Sequence, residues 1–391
     1  MSARRVGVVG IAVALAAALA AAAIAGGGLV AIDAKVDGEN GVDGLASAYG
    51  SAVSPDGKNV YAIGDGDQAV AVFKRRNNGT LAYLETHTQG VDGVANMAAP
   101  SAIGVSPDGD NVYVSTGTAL VTFDRNGTGR LTYRRALVDG VGGVDGLTNT
   151  CCQLDISRDG RNVYVSATTD QAVSVFKRNK RTGRVSFLQL KKNNVGDVKW
   201  LASPEGVVVS RDGKNVYAIG YNDNSLVTFK RGRKGKLRFV NAKRDGVNGV
   251  DGLLEPCCSL AISRDGRHVI VPGEGEQAVA LFKRNGRTGK LRFMRAYRVT
   301  RPGFEDMEDP IDVIFSRDGK RVFVASFSNS AVVALKRTRR GNLKALGAID
   351  ETTAGAAELD GAWRLSESPD GSSIYVSAYD DHALVALRRK R

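Results

Sequence analysis

The stretch from residue 54 to residue 85, SPDGKNVYAIGDGDQAVAVFKRRNNGTLAYLE, decides the fold. It holds three short runs rich in β-branched and aromatic residues, NVYAIG, AVAVF and LAYLE, which are separated by turn-forming Asp, Asn and Gly residues. Asp-Gly turns between such runs are typical of β-hairpins. A further apolar run precedes the first turn, so the stretch predicts four antiparallel strands.

The Ser-Pro/Arg-Asp-Gly turn of this stretch recurs along the whole chain. Its seven copies begin at Ser54, Ser106, Ser157, Ser210, Ser263, Ser316 and Ser368. Consecutive copies lie 51 to 53 residues apart. A repeat of this length with four strands is typical of a propeller blade. The sequence therefore predicts an all-β fold, a seven-bladed β-propeller with four strands per blade.

The two ends of the chain predict how the ring of blades closes. The last repeat stops at HALVALRRKR, after its third strand. The segment GGGLVAIDAKVDGENGVDGL, residues 26–45, aligns without gaps to TGRLTYRRALVDGVGGVDGL, residues 128–147, which contains a fourth strand. We therefore expect an N-terminal strand to complete the last blade and to remove an open sheet edge.

Residues 1–25 differ in composition from the rest of the chain. Arg4 and Arg5 precede an uncharged run of Ala, Val, Leu and Ile, and Ala23-Ile24-Ala25 fits a cleavage pattern of small residues. These features predict a secretory signal peptide, or an N-terminal anchor if the run is not cleaved. We expect residues 26–391 to form a single propeller domain that is extracytoplasmic, either secreted or associated with the cell envelope.

The quoted repeat resembles that of the lactonase-type seven-bladed propellers, and NVYVS…ALVTF is similar to the YVTN repeat of surface-layer-type propellers. The resemblance covers residues 28–391. It implies the propeller fold. It also implies that hydrolysis of a sugar lactone such as phosphogluconolactone is one possible activity, because some members of the family perform it. Many other members are exported proteins without assigned chemistry.

Polar residues near the start of the innermost strands predict a ligand site at the upper end of the central channel. They are Tyr49, Gln153, Asp155, Glu205, Asp312, Trp363 and Arg364, and His382 lies in a nearby upper loop. A lactonase needs a base to activate water and a cation to stabilise the oxyanion. Glu205 or Asp312 could be the base and Arg364 the cation. The alternative interpretation is that these charged residues form salt bridges between blades.

Two functions follow from this site. The first is a binding or scaffold module that holds a small molecule or a peptide at the top face. The second is a lactone hydrolase. The chain has only three histidines, His87, His268 and His382, and the histidines that the lactonase relatives use could not be matched to it. The sequence alone therefore favours the binding module.

The four cysteines occur as two adjacent pairs, Cys151-Cys152 and Cys257-Cys258, at the same position of blades 3 and 5. An even number of cysteines in an exported chain indicates disulfides. Bonds between neighbours, bridges across the channel, free buried thiols and a metal site are all compatible with the sequence. Neighbour bonds would place two rigid rings beside the channel mouth.

The net charge of +13 is unevenly spread over the predicted faces. Lys and Arg cluster in the turns between the third and fourth strands, whereas Asp and Glu cluster in the upper loops. The basic lower face is either solvated or binds an anionic envelope surface, such as membrane headgroups or wall polymer. These turns lack interleaved aromatic residues, which argues against nucleic acid. We expect a monomer.

Repeated Asp-Gly pairs in the blade connections raise one metal hypothesis. Asp139, Asp145, Asp245 and Asp251 could offer oxygen ligands to a structural calcium ion. Asp-Gly is also ordinary turn chemistry, and the spacing matches no EF-hand loop. No other cofactor is predicted.

Overall fold

The computed structural model describes residues 27–390, which form seven four-stranded antiparallel sheets around a central channel. The seven-bladed propeller predicted from the repeat is confirmed. The only helix in this part of the chain is a 3-10 turn at Glu274–Glu276, and no helix there is long and apolar enough to cross a membrane. The predicted signal peptide lies outside the described residues.

Within each blade the strands follow one another from the channel outward. Blades 1 and 2 comprise β2 (Ala48–Val53), β3 (Asn59–Gly64), β4 (Ala69–Arg75), β5 (Leu81–Thr88), β6 (Ala102–Val105), β7 (Asn111–Ser115), β8 (Ala119–Arg125) and β9 (Leu131–Val138). Blades 3 and 4 comprise β10 (Thr150–Ile156), β11 (Asn162–Ala167), β12 (Ala172–Arg178), β13 (Val185–Lys192), β14 (Pro204–Val209), β15 (Asn215–Gly220), β16 (Ser225–Arg231) and β17 (Leu237–Arg244). Blades 5 and 6 comprise β18 (Ala261–Ile262), β19 (His268–Gly273), β20 (Ala278–Arg284), β21 (Leu291–Arg298), β22 (Pro310–Phe315), β23 (Arg321–Ser326), β24 (Ala331–Arg337) and β25 (Leu343–Asp350).

Blade 7 is assembled from both ends of the chain. It comprises β26 (Ala362–Glu367), β27 (Ser373–Ala378), β28 (Ala383–Arg389) and, as its outer strand, β1 (Leu29–Val36). β1 pairs antiparallel with β28, from Leu29 opposite Arg389 to Val36 opposite Ala383. The predicted ring closure is therefore confirmed, and it leaves blade 7 with four strands like the others.

The core lies between neighbouring blades. All six residues of β3 and of β15 are buried, because the middle strands of a blade are covered on both faces by the adjacent blades. One apolar cluster, for example, joins Tyr61 and Ile63 of blade 1 to Val112 and Val114 of blade 2. The continuous burial explains why NVYAIG does not alternate between apolar and polar residues, as a half-exposed strand would.

Arginines at the ends of the third strands link each blade to the previous one. Arg178 is the clearest case: its guanidinium donates to Asp108, Tyr113 and Asn111 of blade 2, each at 2.7 to 2.8 Å. Each of the seven blades has one such arginine, and we call these seven residues the latch arginines. Each pairs with the Asp of a Ser-x-Asp-Gly turn in the preceding blade; the pairs are Arg75–Asp370, Arg125–Asp56, Arg178–Asp108, Arg231–Asp159, Arg284–Asp212, Arg337–Asp265 and Arg389–Asp318. In each basic turn one arginine is thus neutralised by an aspartate within the fold. The other Lys and Arg residues of these turns do not take part in the latch pairs.

Candidate functional site

The upper mouth of the channel is formed where the innermost strands begin. The residues five positions before the Ser of each Ser-x-Asp-Gly turn are Tyr49, Ser101, Cys152, Glu205, Cys258, Ile311 and Trp363. Several of them touch across the channel: Cys152, Cys258 and Ile311 pack in one cluster with Trp363 at its edge. Below them lies a cavity of about 450 Å³. The repeat therefore places side chains of six different types at equivalent positions around the mouth.

Each pair of adjacent cysteines forms a disulfide, Cys151–Cys152 and Cys257–Cys258, and no cysteine in residues 27–390 is free. Of the alternatives that the sequence left open, the structure has the neighbour bonds. The first pair lies within β10, whereas the second lies in a loop ahead of β18, so only one pair stands on a strand. Both disulfides belong to one buried cluster at the mouth. They are therefore part of the site rather than links between distant segments.

Glu205 lies between the two disulfides. The Cys258 backbone N–H donates to its Oε2 at 3.1 Å, and its carboxylate lies within 4.8 Å of the sulfurs of both pairs. Burial raises the pKa of Glu205 to about 7, and the charge of Glu274 adds to this effect. The residue is only partly buried, and it has no salt bridge among residues 27–390. A carboxyl group with these properties can exchange a proton near neutral pH.

Asp155 and Asp312 line the cavity below the mouth, and both are held by backbone N–H groups. Asp155 accepts hydrogen bonds from Val209 and Ile156, both at 2.7 Å. Asp312 accepts them from Leu365 at 2.7 Å and Val313 at 2.8 Å. Asp155 thereby ties blade 3 to blade 4, and Asp312 ties blade 6 to blade 7. Their carboxylates are less available to a ligand than that of Glu205.

Arg364 is buried in the channel and is also engaged by protein groups. Its Nη2 donates to the carbonyl oxygens of Cys152 and Cys258, the latter at 2.9 Å, and its Nη1 lies 3.6 Å from Asp312. One guanidinium from blade 7 therefore holds both disulfide segments in place. This geometry favours a positioning role over direct contact with a substrate.

Aromatic side chains line the opposite side of the mouth. The Tyr49 ring lies 5.3 Å from that of Trp363 and 6.2 Å from that of Tyr379, and Phe327 lies 5.3 Å from Trp363. The Tyr49 hydroxyl contacts Cys152 Sγ at 3.6 Å, and burial raises the pKa of this hydroxyl to about 12, so it stays protonated. A flat or ring-shaped ligand could stack on this surface.

Tyr379 and Phe327 were not among the residues singled out in the sequence. The sequence analysis sought site residues mainly on the innermost strands, whereas these two aromatics follow the second strands of blades 7 and 6. Their position directly after the run that aligns with NVYVS would have been a usable signal.

Two other predicted site residues have protein contacts of their own. Gln153 exchanges hydrogen bonds of 3.3 Å with the backbone of Leu260, so it spans from blade 3 to blade 5 inside the channel. His382 is exposed, and its Nδ1 accepts a hydrogen bond from the Ser47 backbone N–H at 2.8 Å. His382 therefore ties blade 7 to the start of blade 1 and is not among the residues that line the cavity.

The aspartates proposed for calcium lie in two similar carboxylate clusters. Asp139 and Asp145 meet Asp170, and Asp245 and Asp251 meet Glu276, with ligand oxygens within 4.8 Å of one another. Asp139 and Asp245 each accept a backbone hydrogen bond eight residues on, at 2.9 and 3.0 Å, as turn residues do. In the second cluster Arg298 supplies a positive charge, 2.6 Å from Asp251. Asp139 and Asp245 therefore act as turn residues, and a structural calcium ion at either cluster stays a prediction.

Comparison with known proteins places the chain in a family. The profile described as "Lactonase, 7-bladed beta-propeller" matches residues 51–202 and 197–305. No curated protein matches the sequence significantly.

Solved structures give the same architecture. The periplasmic gluconolactonase of Pseudomonas aeruginosa is 16% identical with a TM-score of 0.62, over 77% of this chain and 85% of that one. A putative 6-phosphogluconolactonase from Bacteroides uniformis is 19% identical with a TM-score of 0.62, over 77% and 84%. The hydrazine synthase of Kuenenia stuttgartiensis is 17% identical with a TM-score of 0.62, over 90% and 99%. These similarities show the fold alone, since proteins of different activity match equally well. The profile match covers more than half of the chain, so the protein belongs to the family of lactonase-type seven-bladed β-propellers.

Proposed function

We propose that the protein hydrolyses a neutral sugar lactone at the upper mouth of its channel, with Glu205 as the general base. The observation that carries this proposal is the state of Glu205, a partly buried carboxyl with a pKa of about 7 and no salt bridge in residues 27–390. Membership of the lactonase family supports hydrolysis over the binding module that the sequence alone favoured.

During the reaction Glu205 accepts one proton and later gives it back. The Glu205 carboxylate accepts a proton from water while the water oxygen attacks the lactone carbonyl carbon. The tetrahedral intermediate then collapses, the ring C–O bond breaks, and the Glu205 carboxyl returns its proton to the leaving alkoxide. The protonated Tyr49 hydroxyl is the donor we assign to the developing oxyanion. Arg364 contributes indirectly, because it holds the two disulfide segments in place.

The charge around the upper mouth favours a neutral substrate. Burial raises the pKa of Asp65 and of Glu274, and Asp309 and Glu255 add negative charge near Glu274. A phosphate group would be repelled by these carboxylates. The rings of Tyr49, Trp363 and Tyr379 instead offer apolar faces to a sugar ring. Gluconolactone, the compound after which the Pseudomonas aeruginosa neighbour is named, is therefore a better candidate than its 6-phosphate.

The proposal includes an extracytoplasmic location. The apolar N-terminal run supports export, and two disulfides are typical of proteins in oxidising compartments. N-terminal sequencing of protein from the producing cells tests this. A mature terminus near residue 26 is expected, and intact protein in the cytoplasm would contradict it.

Initial rates of lactone opening test the activity. The purified protein should open gluconolactone faster than the spontaneous reaction, and prefer it about tenfold or more over the 6-phosphate in kcat/KM. Glu205→Gln should lower kcat by about 10²–10⁴. Glu367→Gln is the matched control, because the pKa of Glu367 is also raised to about 7 by burial but it lies at the opposite end of the channel. No acceleration by the unmodified protein on any lactone would overturn the proposal.

A further inference from the structure

The lower mouth of the channel carries a second group of arginines. The Ser-x-Asp-Gly turn has Arg at its second position in blades 3 to 6 and Pro in blades 1, 2 and 7. We call the four residues the mouth arginines; they are Arg158, Arg211, Arg264 and Arg317. All four line a single cavity of about 480 Å³ at the lower end of the channel. Four consecutive blades thus direct four cations to one space.

The mouth arginines lack the partners that the latch arginines have. Among residues 27–390, no carboxylate forms a salt bridge with any of the four. The one hydrogen bond from their side chains within this range runs from Arg264 Nη1 to the Arg317 carbonyl oxygen, at 2.6 Å. The Asp beside each mouth arginine pairs with a latch arginine of the next blade instead. The described part of the fold therefore leaves these four guanidinium groups without a carboxylate partner.

Their charges act on one another across the cavity. The pKa of Arg211 is lowered, first by burial and then by the charges of Arg158, Arg264 and Arg317. Apolar side chains, among them Val208, Ile262 and Phe315, line the same cavity. Like charges beside a low-dielectric wall attract a counter-ion strongly.

Two carboxyl groups also line this cavity, and both are already bonded. Asp155 accepts two backbone hydrogen bonds at 2.7 Å. Glu367 accepts the Arg317 backbone N–H at 2.6 Å and lies 3.4 Å from Arg389 Nη1. Neither of these two side chains forms a salt bridge with a mouth arginine. The cavity therefore keeps a net positive charge.

We infer that the lower mouth is a binding site for a compact ligand that carries phosphate groups. Planar guanidinium groups bind phosphate oxygens in pairs, and four of them around one cavity suit a ligand with at least two negative charges. The phosphate can come from a soluble diphosphate or from a phosphate headgroup. The inference does not rest on the lactonase proposal, since neither Glu205 nor Tyr49 lines this cavity. Asp155 and Arg317 line both this cavity and the one below the upper mouth.

Titration calorimetry with pyrophosphate at low salt tests the site. We expect one pyrophosphate bound per protein, with an affinity that falls as salt is added. Arg158→Gln with Arg211→Gln should weaken binding about tenfold or more. Neither side chain bonds another group in residues 27–390, so this variant should fold. Lys177→Gln with Lys230→Gln removes the same charge from exposed third-strand ends and should change the affinity less than twofold.

Absence of saturable binding would overturn the inference, as would equal weakening in the lysine control, which would indicate diffuse surface charge. A second experiment identifies the source of the phosphate. If vesicles containing phosphatidic acid bind the unmodified protein and excess pyrophosphate releases it, the site accepts a lipid headgroup. If pyrophosphate binds but the vesicles do not, the ligand is soluble. Both results are compatible with the site.

Discussion

The two ends of the channel are built by the same repeat but carry opposite chemistry. At the upper mouth, equivalent positions of the seven blades hold six kinds of side chain, with Glu205 between two disulfides. At the lower mouth, one turn motif places arginine in four consecutive blades. Also at the lower end, the seven latch pairs use the same Arg and Asp positions in every blade. The repeat is strict where blades interlock, and the candidate sites lie where blades differ.

The largest effect is expected from opening the ring, on which both mouths depend. Deleting residues 29–36 removes β1 and leaves β28 as an exposed edge in blade 7. We expect a loss of several kcal/mol, comparable to the whole stability of many domains, or aggregation. Thermal unfolding followed by circular dichroism measures this. An unchanged melting temperature would show that the closing strand is dispensable.

The second prediction separates the two kinds of arginine at the lower end. Arg178→Gln should cost about 3–5 kcal/mol, because the Arg178 side chain is fully buried and its loss leaves Asp108 without its partner. Arg211→Gln should change stability by less than about 0.5 kcal/mol, because Arg211 bonds no other side chain in the described chain. Urea unfolding of both variants tests the distinction. Equal losses would mean that mouth arginines also hold the blades together.

The third prediction concerns the effect of pH on stability, and it applies to one glutamate at each end of the channel. The pKa values of Glu205 and Glu367 rise from 4.5 to about 7, chiefly through burial. Between pH 4.5 and pH 7 the folded protein therefore binds more protons than the unfolded chain. The free energy of unfolding accordingly falls as the pH rises from about 4.5 to about 7. Glu205→Gln and Glu367→Gln should each be more stable than the unmodified protein at pH 8, by about 1–3 kcal/mol, and equal to it near pH 4.

Urea unfolding across this pH range measures the difference between each variant and the unmodified protein. The comparison with the unmodified protein is necessary because other groups also titrate. The latch aspartates, for example Asp108, have lowered pKa values, and they lose their stabilising charge when the pH falls below the ordinary range of an aspartate. A difference that does not change with pH would show that these carboxyl groups are not perturbed by burial.

A small stability effect is expected at the disulfides. Cys151→Ala with Cys152→Ala removes a bond between neighbours, which restricts the unfolded chain very little. We expect a loss of about 1 kcal/mol, together with a severalfold rise in KM for the substrate of the upper mouth, because Cys152 contacts Tyr49. Severe destabilisation with unchanged KM would assign these disulfides to the framework instead.

The fold could be predicted from the sequence because it depends on local and repeated signals. Seven turns at regular spacing gave the blades, and the gapless match of residues 26–45 to residues 128–147 gave the closing strand. The latches could not be predicted, since Arg178 and Asp108 lie 70 residues apart and their contact depends on how blades are rotated in the ring.

The candidate site could be predicted only in part. Tyr49, Glu205 and Trp363 were predicted from their position at the start of innermost strands, and the structure brings all three to the upper mouth. The sequence could not show that Asp155 and Asp312 are held by backbone N–H groups or that Arg364 binds the carbonyls of Cys152 and Cys258. The aspartates bond neighbouring blades and Arg364 reaches across the channel, and in each case the partners lie more than 50 residues apart in sequence.

The pH dependence of kcat/KM for a neutral sugar lactone tests the central claim most directly. With Glu205 as the base, kcat/KM should rise with pH through about 7, as the carboxyl group loses its proton, and should level off above it after subtraction of spontaneous hydrolysis. Glu367→Gln should keep this profile, and Glu205→Gln should lose the rise together with most of the rate. A profile that stays the same in Glu205→Gln would contradict the assignment of the base and, with it, the account of the upper mouth.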